Sequence, residues 1–283
     1  MAGGDFTGAI MAKPLNVGRS SRTPVKHMIL DRMVGKIAGV LSTQSSSVPC
    51  RANPFLVVDL CGGDGVVTED HDASPQILHR HCCWLIERKH RSRLMVFEQS
   101  PHSFGLLDSS TAFAPGRDDW FTIHNQDSRA FVMPKMLANQ AAFVHCDPNC
   151  VDQIPLTDPF LDSWNKHTTY LVTLGCNVGG AKRASIEDRA KWFWYVESLC
   201  KRLPKNHDAV LFWLERDASQ WAYLLSIPKV WSRDFSKKIV DKASTWWPNG
   251  LGMANYRDER KQFDLNIKRL FLTEKEFNNA TND

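Results

Sequence analysis

The stretch Val57-Val58-Asp59-Leu60-Cys61-Gly62-Gly63-Asp64-Gly65 joins an apolar run to a turn that is rich in glycine. The unbroken apolar character of Phe55 to Leu60 is typical of a parallel strand that helices cover on both faces. Glycine tolerates positive φ and lets backbone amides approach a ligand closely. In doubly wound folds such a turn lies at the carboxyl edge of the sheet, where ligands bind. The stretch therefore predicts an α/β fold with a ligand site at residues 61–65.

Two common nucleotide-binding motifs do not fit this turn. A phosphate-binding loop ends in Gly-Lys-Ser/Thr, which is missing here. The three-glycine dinucleotide fingerprint would need a further Gly or Ala near Thr68. The turn therefore points to a different cofactor.

Around the turn, strand-like runs alternate with helical patterns. Thr23 and Pro24 form a start signal for a helix at about 23–42. The further predicted elements are strands at 55–60, 94–97, 121–125, 142–145, 169–174, 209–214 and 263–272, and helices at 74–86, 102–107, 130–139 and 185–202. This alternation predicts a Rossmann-like, doubly wound, mostly parallel sheet with helices on both faces.

The predicted domain organisation is one domain behind a flexible leader. The leader covers residues 1–20 and the domain covers 21–283. Within the domain we predict the helix at 23–42, a core at 55–218, a Trp- and Lys-rich C-terminal insertion at 219–258 and a final strand at 259–275.

The composition is that of an ordinary globular protein. The chain has 283 residues, of which 43% are hydrophobic and 23% charged, and its mean hydropathy is −0.33. No apolar run approaches the roughly 18 to 20 residues of a membrane span, and no secretory signal is visible, so we expect a cytoplasmic protein without a membrane partner. Its eight cysteines are scattered, which indicates reduced thiols. A net charge of +4 is too small to indicate a nucleic-acid-binding protein by itself.

The pattern Asp59-x-Cys61-x-Gly63-x-Gly65 resembles the first motif of class I S-adenosylmethionine-dependent methyltransferases. In that family an acidic residue at a strand end precedes alternating small residues, and Cys61 departs from the usual Gly, Ala or Phe. The resemblance covers roughly residues 55–215 and implies S-adenosylmethionine as the cofactor. It also implies that Asp59, Cys61, Gly62, Gly63 and Gly65 form the turn that approaches the methionine part of this cofactor.

Two further acidic residues match the family pattern. The resemblance implies that Glu98, at the end of the second strand, holds the ribose hydroxyls, and that Asp127, after the third strand, contacts the adenine amine. Glu87 competes with Glu98, but its neighbours are typical of a helix. The order of the motifs is also similar to that of the three-Cys-motif partner proteins, a branch of the same fold.

The fourth strand ends in His145-Cys146-Asp147-Pro148-Asn149-Cys150. This is the position at which enzymes that methylate amino groups of nucleic acids carry Asp, Asn or Ser, two prolines and an aromatic residue. The resemblance implies that Asp147, Pro148 and Asn149 contact the acceptor amine of a flipped base. Asn149 and Cys150 depart from the second proline and the aromatic residue, and Trp164, Trp246 or Trp247 are candidates to replace that aromatic side chain.

The predicted insertion interleaves cations with aromatic residues, as a surface does when it follows a phosphate backbone and stacks bases. The segment 229–242 alone has a charge of 5 − 2 = +3. We expect substrate contacts from Lys229, Trp231, Arg233, Lys237, Lys238, Trp246 and Trp247. The alternative is a small satellite core with solvated lysines. The N-terminal segment is a candidate for a second basic patch, with Arg19, Arg22, Lys26, Arg32, Lys36 and Arg51.

A metal site is disfavoured. Structural zinc prefers paired cysteines, and only Cys146-x3-Cys150 has a comparable spacing. His145 and Cys146 are consecutive in a strand and so point to opposite faces of the sheet. We therefore expect no metal.

The predicted function is methylation of a nucleic-acid amino group, adenine N6-type, with DNA favoured over RNA. One alternative is a catalytically inactive protein that keeps the methyltransferase fold and binds a nucleic acid or a protein. A second alternative is a small-molecule methyltransferase in which residues 219–258 form a lid. The sequence does not predict an oligomeric state.

Overall fold

The computed structural model describes residues 23–43, 53–65, 72–113, 119–134, 140–148, 151–155, 160, 162, 164, 167–174, 186–214, 222–229, 251–272 and 279. The helices in this part of the chain are α1 (Thr23–Thr43), α2 (Ser74–Glu87), α3 (Pro101–Asp108), α4 (Ile186–Arg202) and α5 (Arg260–Phe271). The strands are β1 (Phe55–Asp59), β2 (Ser92–Phe97), β3 (Phe121–His124), β4 (Ala142–Cys146), β5 (Thr168–Leu174), β6 (His207–Leu214), β7 (Ala222–Pro228) and β8 (Leu251–Asn255).

The strands form one sheet in the order β3-β2-β1-β4-β5-β7-β6-β8. Neighbouring strands from β3 to β5 pair in parallel, whereas β7 is antiparallel to both β5 and β6, and β8 is antiparallel to β6. Strands β1 to β6 therefore end at one edge of the sheet, and β7 and β8 begin there. This carboxyl edge carries the glycine turn.

Helices cover both faces of the sheet. On one face Phe55 and Val57 share a core with buried residues of α1 and α2, and on the other Leu56 and Val58 share a core with buried residues of α4 and α5. The alternation follows from strand geometry, since successive side chains point to opposite faces. Both faces are apolar, as expected for a central parallel strand. The predicted Rossmann-like, mostly parallel sheet is thus confirmed.

Two predicted elements need correction. The strand predicted at 263–272 is wrong, because Arg260–Phe271 is helix α5. Its apolar residues Phe263, Ile267 and Leu270 are buried at helical spacing, whereas Phe263, Leu265 and Ile267 alternate with polar residues as they would in a strand. The helix predicted at 130–139 is not found at 131–134, where a 3-10 turn at Ser128–Ala130 is followed by irregular chain. Residues 135–139 lie outside the described part.

The predicted insertion is also revised. Residues 222–228 and 251–255 are strands β7 and β8, so two pieces of the segment 219–258 belong to the sheet. β7 lies in the middle of the sheet and is buried along its whole length, which explains its apolar sequence AYLLSIP. The leader predicted at 1–20 lies outside the described residues. In the part of the chain that the structure describes, no helix combines the length and the apolar character needed to cross a bilayer.

Candidate cofactor and acceptor site

The glycine turn after β1 has the backbone geometry that its sequence predicts. Gly63 and Gly65 have φ of 65° and 63°, in the left-handed region that favours glycine. A side chain at Gly62 would collide with Val96, and one at Gly65 with Leu107. At Gly63 an added Cβ would meet no atom of the described residues within 4 Å. The turn is therefore packed tightly against the core at Gly62 and Gly65, whereas Gly63 has room beside it.

Asp59 lies beneath this turn with its side chain completely buried. It accepts a hydrogen bond of 2.7 Å from the Ser74 hydroxyl, at the start of α2, and lies 3.0 Å from Nδ1 of His145, at the end of β4. The backbone N–H of Cys61 donates to the same carboxylate at 3.4 Å. Asp59 thus joins β1, β4, α2 and the turn, and this arrangement fixes the shape of the turn.

Glu98 connects the end of β2 to the turn. One carboxylate oxygen accepts a 2.8 Å hydrogen bond from the Gly63 N–H, and the other accepts a 2.7 Å bond from the Ser100 N–H. Burial raises the pKa of Glu98, and these two backbone donors partly offset the rise. The carboxylate therefore lies directly beside the open position of the turn.

Asp127 follows β3 and begins the 3-10 turn at Ser128–Ala130 by accepting from the Arg129 N–H at 2.9 Å. The Arg129 guanidinium also binds both carboxylate oxygens, and this contact lowers the pKa of Asp127. Asn125 ties this loop to the neighbouring strand end by donating 2.9 Å to the carbonyl oxygen of Glu98. Asp127 is consequently an ionised carboxylate in the loop that follows β3.

Asp147 follows β4 and forms an ion pair with Lys26 of α1. The Lys26 ammonium lies 2.9 and 3.1 Å from the two carboxylate oxygens. Burial would raise the pKa of Asp147, but the neighbouring Lys26 ammonium holds it below the ordinary value. Pro148 is buried, and Asn149 lies outside the described residues.

The sulfur atoms of Cys61 and Cys146 lie 3.7 Å apart between the ends of β1 and β4. Their hydrogen bond and the burial of the site raise the pKa of Cys61 well above its ordinary value, so this thiol is protonated. Within the described ranges, no three His, Cys, Asp or Glu side chains are grouped closely enough to hold a metal ion.

The structure brings most of the predicted cofactor residues to one edge of the sheet. Lys229 lies elsewhere: it follows β7 at the opposite edge, where its N–H donates 2.8 Å to the carbonyl oxygen of Asn206. The other predicted substrate residues, Trp231, Arg233, Lys237, Lys238, Trp246 and Trp247, lie outside the described residues.

Three residues of this site had no such role in the sequence analysis. Ser74 was the first residue of a predicted helix, His145 was a disfavoured metal ligand, and Lys26 was one cation in a basic patch. The strand-end position of His145 was the available signal for its role. Lys26 carried no such signal, since it meets Asp147 across 121 residues of sequence.

Comparison with known proteins supports the fold only. No protein-family model and no curated protein matches the sequence. Among solved structures, protein LPL1258 from Legionella pneumophila, of family-model DUF519, has a TM-score of 0.54 at 11% identity and covers 81% of this chain and 95% of its own. An rRNA methylase from Streptococcus thermophilus has a TM-score of 0.42 at 12% identity, and the match covers 72% of this chain and 96% of the methylase. The plantazolicin methyltransferase BpumL, solved in complex with SAH, has a TM-score of 0.41 at 8% identity, and the match covers 73% of this chain and 86% of BpumL. The match to LPL1258 supports the α/β fold described above and carries no statement about activity.

Proposed function

We propose that this protein is an S-adenosylmethionine-dependent methyltransferase that acts on an amino group of nucleic acid, adenine N6-type, with DNA favoured over RNA. The observation that carries the proposal is the set of acidic side chains around the glycine turn. Asp59 ends β1, and Glu98, Asp127 and Asp147 follow the neighbouring strands β2, β3 and β4. Ligands of open α/β sheets bind at this edge, outside the carboxyl ends of the strands.

The residues present fit the cofactor that the resemblance implies. Gly63 leaves an open surface, and the Glu98 carboxylate beside it has lone pairs in excess of its two hydrogen bonds with which to accept hydroxyl groups. Asp127 supplies an anionic acceptor suited to an amine. When bound, S-adenosylmethionine supplies a methyl group activated by a positively charged sulfur. Asp59 does not touch it in this proposal but fixes the turn that does.

Asp147 is the proposed acceptor-side residue. Because its pKa is lowered, it is ionised at neutral pH and can accept a hydrogen bond from the acceptor amine. An amine on an aromatic ring is a weak nucleophile, and this hydrogen bond increases the electron density on its nitrogen. In this proposal the same carboxylate takes the proton that the nitrogen loses on methylation. The rest of the catalysis is proximity and orientation.

The cofactor site is tested by calorimetric titration of the protein with S-adenosylmethionine. We expect Glu98→Gln to weaken binding at least about tenfold, because a hydrogen bond to a charged group contributes roughly 1.5 to 3 kcal/mol. Glu87→Gln is the matched control, since Glu87 is an exposed glutamate at the end of α2. Equal affinities of wild type and Glu98→Gln would remove Glu98 from the site.

The reaction is tested with methyl-labelled cofactor and DNA, RNA, protein or small-molecule acceptors. We expect label in the N6 position of adenine and its loss in Asp147→Asn. The inactive binding protein remains the rival, and one observation favours it: Asp147 already has a cationic partner, as a purely structural carboxylate would. Tight cofactor binding without transfer to any of these acceptors would support that rival and contradict the proposed activity.

A further inference from the structure

Helix α1 reaches the acceptor side of the candidate site through Lys26. Asp31 fastens α1 to α2, since its carboxylate lies 2.9 Å from both the Arg80 guanidinium and the His81 ring. Met33 and Val34, two buried residues of α1, pack into the core beneath. The helix that carries Lys26 is therefore held against the domain by charged and apolar contacts.

Lys26 and Asp147 present a hydrogen-bond donor and an acceptor side by side. The ammonium contacts both carboxylate oxygens, yet 21% of the Lys26 side chain and 24% of the Asp147 side chain stay exposed. A ligand that meets both groups must offer an N–H next to an acceptor atom. An aromatic amine whose ring carbon adjoins an unprotonated ring nitrogen has this edge, as adenine does at N6 and N1 and cytosine at N4 and N3.

We propose that Lys26 determines the acceptor by donating a hydrogen bond to the ring nitrogen adjacent to the amine that Asp147 holds. This inference rests on the proposed function and narrows its substrate class to such amino-substituted bases. An aliphatic amine would be disfavoured, because at neutral pH it carries a positive charge that Lys26 repels. Reading of a base at this edge requires that the base leave the stack, as in other enzymes that act on a flipped base.

Substrates altered at one atom test the inference without changing the protein. An oligonucleotide with adenine is compared with the same oligonucleotide carrying 1-deazaadenine, in which C–H replaces the ring nitrogen and the amine is kept. We expect kcat/KM of the wild type to fall by about tenfold or more on the deaza substrate, because a ring C–H cannot accept the hydrogen bond that Lys26 donates to the ring nitrogen. Equal rates on both substrates would overturn the inference while leaving the proposed methylation intact.

The Lys26→Met variant completes a thermodynamic cycle. We expect its kcat/KM on adenine to be lower than that of the wild type, with no further loss on 1-deazaadenine. If Lys26 had a purely structural role, the variant would be slower on both substrates by the same factor and would still prefer adenine to 1-deazaadenine as the wild type does. Lys36→Met, at an exposed position on the same helix, should retain the wild-type preference. If no nucleic acid is methylated by the wild type, the proposed function fails, and this inference fails with it.

Discussion

Substitution of Asp31 by Asn should weaken the contact between α1 and α2 and lower the free energy of unfolding. The size of this loss can be worked out from the surroundings of Asp31. The hydrogen bond from His81, opposed by partial burial and aided by Arg80, lowers the pKa of Asp31 from 3.8 to about 2. At about 1.36 kcal/mol for each pKa unit this corresponds to about 2.4 kcal/mol. Since 32% of the Asp31 side chain is exposed, solvent screening reduces the expected loss to about 1 to 2 kcal/mol.

The sign of the pH dependence follows from the lowered pKa. A carboxyl group that is more acidic in the folded state stabilises the protein above its unfolded-state pKa, and the contribution disappears as pH falls towards the folded-state value. Urea unfolding should therefore separate wild type from Asp31→Asn at pH 7, and the gap should narrow to about half by pH 3. Asp119→Asn, at an exposed position before β3, is the control. A gap that is absent at pH 7, or as large at pH 3 as at pH 7, would refute this reasoning.

Two other predictions concern the glycine turn and its carboxylate partner. Gly62→Ala should lower the free energy of unfolding by about 1 to 3 kcal/mol because of its clash with Val96. Gly63→Ala should lower it by about 1 to 2 kcal/mol through its positive φ. Urea unfolding measures both losses, and a variant as stable as the wild type would contradict the reason given for it. Because burial raises the pKa of Glu98 above the usual 4.5, affinity for S-adenosylmethionine should begin to decline at a higher pH than for an ordinary glutamate as acid is added. Calorimetry from pH 7 to pH 4 measures this decline. An affinity that stays constant over this range would show that cofactor binding does not depend on an ionised Glu98.

The half of the sheet around β1 could be predicted because its signals are local. The apolar run at 55–60 and the glycines that follow specify strand and turn within a few residues, and the acids at 98, 127 and 147 are recognisable by their place after a strand. What they contact could not be predicted in this way. Asp59 faces inward to Ser74 and His145, and such a pairing depends on which strands become neighbours.

The later part of the chain was harder to predict because its elements give conflicting signals. Along α5 the residues Phe263, Leu265 and Ile267 alternate as in a strand, while Phe263, Ile267 and Leu270 also lie on one helix face. β7 is an apolar strand in a segment dominated by tryptophan and lysine, which concealed it. A short apolar run does not reveal its direction in a sheet, so the reversal of β7 and β8 had no sequence signal.

The antiparallel placement of β7 and β8 has a consequence for how the molecule can be divided. β7 is held between β5 and β6, and β8 pairs with β6 while α5 buries Phe263, Ile267 and Phe271 against the sheet. A protease cut between residues 230 and 250 would thus leave two fragments, each anchored in the same sheet by its own ladder of hydrogen bonds. Residues 230–250 can accordingly be replaced by an unrelated linker without removing a strand from the sheet or changing the edge that carries the glycine turn.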